Sequence, residues 1–600
     1  MKIRELSIKN CLSFCEKGLN DNNSIELGDF NLFIGSNNAG KSNLLKIVKL
    51  VWNILLSVPQ SSSDLLVAFP LYLEGDQDLF RDWFYAQNLG NQIQFSFALE
   101  IEETDQTVLG IKPYDPETKD PVLFMFGLNK DWPKFIKIAG FIEYKQVPLL
   151  TITRVEIPND HPNYGKQPIL FDVENQKVIT LRSVPGRREP VWKVLSRSSN
   201  ERDWESDHKY AVKHLCDFLN TLNIRITEKL IVRIPPIRKI ETGGEIIETL
   251  ARLRDSRPNE KALYEQVEEY VKELILPNIE FVFPPHKQSG KRALEIMDKQ
   301  WKIQLPLNHL GSGVEQMLTL IADIVRNGSK KIILIEEPEA HLHPDLQRKF
   351  IRFLEKNKGD LGHQYFIATH SNIFIDEFAR IKGDVFYIYL SQDEAMKEKY
   401  SQVEPLIPDE LATLFRDLGV RPSDLLLANG VLVVEGPTDK DVYTDWARKI
   451  GKSFEEIGVE VIDADGAGNI PKYLGSPVIQ KTSFTLYGLC DRNAESEIRK
   501  KLKGIVPDKN IIALEKGDLE DYYPREIVLQ FVREHHKFKD RQEEIPKKIK
   551  EGETVSTLAG LLGEDWRKKP LAKAVIEKMK PDQIEGEIIE KLTQIHVSIY

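Results

Sequence analysis

The stretch FIGSNNAGKSN, residues 33–43, constrains this chain more than any other. Gly35, Gly40, Lys41 and Ser42 fit the pattern G-x-x-x-x-G-K-[ST], in which backbone N–H groups wrap phosphates. The preceding FNLFI is an apolar strand, and the following KSNLLKIVKLVWNILL carries apolar residues at helical spacing. A strand, a glycine loop and a helix in that order open an α/β domain and aim the helix N-terminus at an anion. In this loop Gly35, Asn38 and Gly40 would shape the phosphate cradle. Lys41 would meet the outer phosphates, and the Ser42 hydroxyl would hold Mg²⁺.

The chain has 600 residues, too many for a single hydrophobic core, so roughly two to four domains are expected. Its 41% hydrophobic and 29% charged residues describe an ordinary globular composition. No run of 18 or more apolar residues occurs, and MKIRELSIKNCLSF at the start alternates like a strand and lacks a signal peptide's apolar core. No membrane partner and a cytoplasmic location are therefore expected. The four cysteines, Cys11, Cys15, Cys216 and Cys490, are scattered and form no CxxC pair, which argues against a disulfide framework or a structural zinc site. A net charge of −10 argues against coating by nucleic acid but leaves room for a local basic groove.

Along the chain, residues 1–60 and 290–395 read as the two parts of one α/β core. Residues 61–289, with short alternating stretches such as IQFSFALEIEE and one amphipathic helix around NEKALYEQVEEYVKELIL, read as the rest of that lobe plus an insertion. Residues 396–429 read as a connector, and 430–600 as a second α/β domain with a charged helical tail.

Further elements fit the glycine loop. The apolar run Ile332–Ile335 ends in Glu336 and Glu337, as a buried strand delivers acids to the mouth of a sheet, and Pro338 forces a turn directly after them. Glu336 would hold Mg²⁺ through water, and Glu337 would polarise the attacking water. LGSGVEQ (310–316) sets Ser312 and Gly313 at a predicted helix N-terminus, where free N–H groups suit a γ-phosphate from a second subunit. The same residues read equally as a plain helix cap. His370 in ATHS follows a strand, a place for sensing the γ-phosphate, although a lone histidine is more often structural.

Together GSNNAGKSN, LGSGVEQ, IEEPEAHLHP and ATHS resemble the ATPase domain of the ABC, SMC and RecF superfamily, and EEPEAHLHP is most similar to the OLD (overcoming lysogenization defect) nuclease family. The resemblance implies ATP sandwiched between two heads, hence a homodimer or higher homo-oligomer, with the insertion as a dimerisation region. Glu336 stands where most of the superfamily has Asp, a variation that OLD-like proteins share.

A second acidic set follows residue 430. VLVVEGPTDKD ends a β-branched strand at Glu435, with Asp439 and Asp441 in the next turn; VIDADGAGN carries Asp463 and Asp465; FTLYGLCDRNAE ends at Asp491. Acids at the ends of neighbouring parallel strands repel one another unless a divalent cation binds them. This order resembles the Toprim domain of topoisomerases, primases and OLD nucleases, where a Glu-Gly strand end precedes an Asp-x-Asp strand end. The spacing from Glu435 suits Asp491 with two intervening βα units, whereas Asp463 leaves room for one. Asn493 occupies the second aspartate position, and its amide oxygen is a possible Mg²⁺ ligand. By position in such domains, Glu520, with Asp521 nearby, would complete a two-metal site (Mg²⁺, or Mn²⁺), with Lys569, or else Lys573, as the catalytic lysine; these late residues read equally as a solvated charged face.

The resemblance implies an ATP-regulated endonuclease of the OLD type acting on DNA. Its layout is similar to that of the nuclease subunit of Gabija anti-phage systems, which implies a helicase-like partner protein and a role in defence. Two other readings compete: an ATP-gated clamp whose Toprim domain binds without cutting, which Asn493 keeps open, and a topoisomerase or primase, for which no tyrosine nucleophile motif or zinc ribbon is evident.

Overall fold

The computed structural model describes residues 1–20, 24–35, 38–57, 69–71, 82–85, 88, 90–101, 135–145, 147–157, 160–161, 165–166, 169–172, 177–182, 191–194, 231–236, 238, 244–285, 291–381, 383–392, 399–406, 428–476, 485–541, 543–544, 547–548, 562–563 and 567–599. Most of the expected connector and Cys216 lie outside them. The chain divides into two compact units, Met1–Pro405 and Leu406–Tyr600.

In the first unit a six-stranded sheet runs in the order Ile231–Ile234, Ile332–Glu336, Gln364–Ala368, Phe30–Ile34, Asp384–Gln392, Lys399–Leu406. The pairings among the first five of these strands are parallel. FNLFI, IILIE and QYFIA are buried at every position, as strands covered on both faces must be. A strand covered on both faces keeps its charges for the ends, and Glu336 therefore sits last in its strand.

A second, antiparallel sheet is built on the N-terminal strand Lys2–Lys9, followed outward by Ile93–Glu100, Phe135–Lys145, Val147–Ile157 and further short strands. Here burial alternates, as in Ile93–Glu100, so that one face is apolar. That face and the parallel sheet share one core with the helix Lys41–Leu56, whose Leu44, Ile47, Val48, Val51 and Trp52 are all buried. The glycine-loop helix is thus sandwiched between two sheets, which explains its unusually complete burial. The span 61–289, read from sequence as lobe plus insertion, contributes strands to both sheets, including the short Ile231–Ile234 beside Ile332–Glu336. It also holds the expected amphipathic helix, Pro258–Leu274.

Local signals set the helix ends. Pro344 occupies the first turn of Pro344–Leu361, the His343 side chain accepts the Asp345 N–H, and Gly362 closes the helix in the left-handed conformation.

The second unit is a four-stranded parallel sheet in the order Val459–Asp463, Gly430–Val434, Thr485–Cys490, Ile511–Ala513. Helices Pro437–Lys449, Arg525–Glu534, Ala572–Lys578 and Gly586–Ile599 share a core with these strands around the fully buried Trp446. The expectation that Asp439 and Asp441 lie in a turn is corrected: Pro437 starts a helix at once, and both acids are within it. Cys11, Cys15 and Cys490 are free thiols in the interior. Among the described residues no helix is long and apolar enough to cross a membrane.

One buried titratable group lies outside either candidate site. His363, 0% exposed, accepts the Lys331 N–H at Nδ1 (2.9 Å) and packs edge-on against Tyr365. Burial pushes its pKa down to about 4 from 6.5. The unfolded chain therefore binds a proton that the folded chain refuses, and stability falls as pH drops from 6.5 towards 4. At about 1.4 kcal/mol per unit the loss is on the order of 3 kcal/mol. His363→Asn, which keeps an acceptor for the Lys331 N–H, is expected to flatten this slope; urea melts at several pH values would measure it.

Candidate functional site

The central strand Phe30–Ile34 delivers Gly35 to the rim of the first sheet. Gly35 has φ +148°, and a Cβ there would run into the Ile388 carbonyl, so glycine is required. Gly40 has φ +108°, and a Cβ would meet the hydroxyls of Ser401 and Ser13. Asn38 is exposed and left-handed (φ 63°). Lys41 is buried and donates from Nζ to the Gly35 carbonyl (2.9 Å), while Ser42 is exposed on the first turn of the helix. Burial lowers the Lys41 amine to about 8, against the upward pull of Glu337 and Glu339. These charges bring the expected lysine and Glu337 to one place.

Glu336 pairs with Arg233 at 3.1 Å. Glu337 takes a left-handed conformation (φ 45°) and donates its N–H to the Ala368 carbonyl (2.8 Å), making the turn that Pro338 announces. His370, on the neighbouring strand's exit, is half-buried; burial and then Lys41 push its imidazole pKa down. Ser312 is exposed at the start of Ser312–Val325, and Gly313 packs near the His341 carbonyl and Leu346.

Two residues absent from the sequence reading complete this cluster. Glu339 accepts the His370 N–H (2.7 Å) and the Thr369 hydroxyl (2.8 Å), and burial raises its pKa. Arg238, 3% exposed, donates to the carbonyls of Glu336 and Glu337, 3.0 Å each, and to the Gln316 side chain (3.5 Å). Gln316 in turn donates to the Arg238 carbonyl. One guanidinium therefore ties the acidic strand end to the helix that Ser312 opens. The only hint in sequence was an arginine just after the paired prolines of IPPIRKI.

In the second unit the strands Gly430–Val434 and Thr485–Cys490 are neighbours, and each is followed at once by an acid. Glu435 Oε1 accepts the Asp491 N–H at 2.7 Å, so the two distant residues meet on one rim. Asp439, in the first helical turn, has its carboxyl pushed up to about 7 by burial and then by Glu435 and Glu520. Asp491 is pushed up to about 8 by burial, Glu435, Asp439, Asp518 and Glu520. Glu520 is 7% exposed, in the short turn Leu519–Tyr522. Tyr443 is buried, and burial, then the charges of Asp439 and Asp491, push its phenol pKa well up.

Other expected members stand apart. Asn493 is exposed, and Lys569 is exposed without a hydrogen bond or ion pair among the described residues. Lys573 pairs with Glu577 at 3.9 Å. Asp463 ends its own strand and Asp465 follows in a left-handed turn (φ 51°). Among the described residues no three His, Cys, Asp or Glu side chains converge as metal ligands. The donor set itself, hard carboxylate oxygens within one another's field and, at Asp439 and Asp491, reluctant to ionise, fits a divalent cation.

Comparison with known proteins agrees with both halves. Residues 30–376 match the AAA domain family described with the AbiEii toxin of type IV TA systems, and residues 426–492 match the overcoming lysogenization defect protein-like TOPRIM domain. Similar proteins include an uncharacterised protein of Methanocaldococcus jannaschii (26% identity over 259 residues, 41% of this chain and 29% of that one). The endonuclease GajA of Bacillus cereus is 21% identical over 236 residues, 34% of each chain. The OLD nuclease of Thermus scotoductus is 26% identical over 225 residues, 35% of this chain and 42% of that one. The matches span less than half of each relative. With the first match covering more than half of the chain and the second lying on the acidic rim, the protein belongs to the AAA domain family and carries an OLD-like TOPRIM domain behind it.

Proposed function

We propose that this protein is an ATP-regulated, divalent-metal-dependent endonuclease that cleaves phosphodiester bonds of DNA. The observation that supports it most is the meeting of Glu435 and Asp491 on the rim of an OLD-like TOPRIM sheet, with Asp439 and Glu520 acting on the same carboxyls. Glu435, Asp439, Asp491 and Glu520 would hold the metal, with Asn493 as a further oxygen donor. Bound Mg²⁺ or Mn²⁺ would supply an activated water and stabilise the leaving oxygen. The chain's own part is to hold these oxygens rigidly, Glu435 through the Asp491 N–H and Asp439 on a helix that begins at Pro437. A cation near the departing charge would come from Lys569, or else Lys573, by position in the family.

In the first unit the glycine loop, Lys41 and Ser42 would hold the nucleotide phosphates, with Ser42 and Glu336 on its Mg²⁺. Glu337 would orient the attacking water, and His370 would sense the γ-phosphate. Ser312 and Gly313 would reach the nucleotide of a second copy, which makes a homodimer or larger assembly the working form. ATP binding at paired heads is then a control on cutting. Similarity to GajA supports a role in prokaryotic defence against phage alongside a helicase-like partner.

Asn493, an amide at the second acidic position, favours one competing reading, a clamp that binds nucleic acid without cutting. Nicking of supercoiled plasmid with Mg²⁺ or Mn²⁺ separates the two. Glu435→Ala and Asp491→Ala are expected to lower nicking by at least about a hundredfold while ATP hydrolysis persists. Residual cleavage equal to wild type would mean a contaminating nuclease and the clamp reading. Lys41→Ala is expected to abolish ATP hydrolysis and to remove any dependence of nicking on ATP concentration. A wild-type nicking rate that ignores ATP would remove the control claim.

A further inference from the structure

A cleft in the second unit, of about 610 Å³, is used by none of the chemistry above. Its floor is the strand Ile511–Ala513, the last in its sheet, hydrogen-bonded on one side to Thr485–Cys490. Open strand edges are normally covered or charged; this one lies in a charged furrow. Arg492, Arg499, Lys509 and Lys591 line it, against Glu495 and Glu515. Two of the bases are already spent: Arg499 pairs with Glu495 (2.8 Å) and Asp508 (3.2 Å), and Lys591 with Glu587 (3.1 Å) and Glu515 (3.6 Å). Arg492 and Lys509 make no ion pair among the described residues, so these two cations are the ones left for a ligand.

Position gives that charge a meaning. Arg492 directly follows Asp491, and its guanidinium is fixed in place by donation to the Glu515 carbonyl (2.9 Å) with other N–H groups unspent. The cleft therefore begins one residue from the acidic rim and leads away along the strand edge to Lys509. Its volume is that of a small-ligand cleft, about 300–1,000 Å³, enough for groups of one strand and too little to enclose a double helix.

We infer that this cleft is a single-strand nucleic-acid subsite, in which Arg492 and Lys509 take phosphates on one side of the bond that the rim addresses. The inference rests on the nuclease reading for its purpose but not for its test. An acidic peptide is the other class of occupant that positive charge and a strand edge would suit. Continuity with Asp491 favours nucleic acid.

The test uses the full chain in EDTA, so that nothing is cut, and a short fluorescein-labelled oligothymidylate read by anisotropy. Arg492→Gln/Lys509→Gln is expected to weaken binding about tenfold at low salt and to lower the slope of log K against log salt by roughly 1.4, at about 0.7 per phosphate contact. Lys500→Gln/Lys503→Gln, an equal change of charge outside the cleft, is expected to bind as wild type does. Equal melting temperatures for both double variants show that the fold is kept. The inference is overturned if both pairs weaken binding alike, if neither does, or if the Arg492/Lys509 pair loses only the capture of poly-glutamate. Plasmid nicking is scored separately: a wild type that never nicks, with the oligothymidylate result as expected, defeats the nuclease reading and leaves the subsite standing. Nicking with an unchanged oligothymidylate affinity does the reverse.

Discussion

A parallel strand buried on both faces has only its ends for charge, and both sites of this protein follow from that constraint. IILIE hands over Glu336 and Glu337; GVLVV hands over Glu435; TLYGLC hands over Asp491. Within each unit parallel pairing then brings the acids to one rim of that unit's own sheet, since neighbouring strands finish at the same edge. Short apolar runs and strand order do the positioning, and the loops beyond them refine it.

The two rims treat their acids in opposite ways. In the first unit the chain supplies the countercharge: Arg233 pairs with Glu336, Arg238 grips the carbonyls of Glu336 and Glu337, and Lys41 lies within the field of Glu337 and Glu339. That rim is balanced, and its buried amine is an anion site by default. In the second unit the charges acting most strongly on Asp439 and Asp491 are other carboxylates, and both carboxyls resist ionisation. Such a cluster gains most from a small cation of high charge.

The sequence made the strand-borne parts of this arrangement legible. FIGSNNAGKSN predicted a strand, loop and helix that the structure places at Phe30–Ile34 and Lys41–Leu56, because period and glycine placement are local properties. The pairing of Glu435 with Asp491 was readable from the number of βα units between them. Arg238 and Glu339 were not, since their roles arise from contacts with carbonyls and N–H groups far along the chain, which no spacing encodes. IVRI at 231–234 is too short to stand out, and its strand exists because Ile332–Glu336 offers it an edge. Asp439, expected in a turn, lies in a helix because Pro437 suits a first helical turn.

The central claim is that the acidic rim of the second unit is a cation site. An anomalous-difference map from crystals of the full chain soaked in Mn²⁺ examines it directly. The account predicts a peak in contact with the carboxylates of Glu435 and Asp491. Density elsewhere, or none at that rim in crystals of a protein that cuts DNA with Mn²⁺, would contradict it.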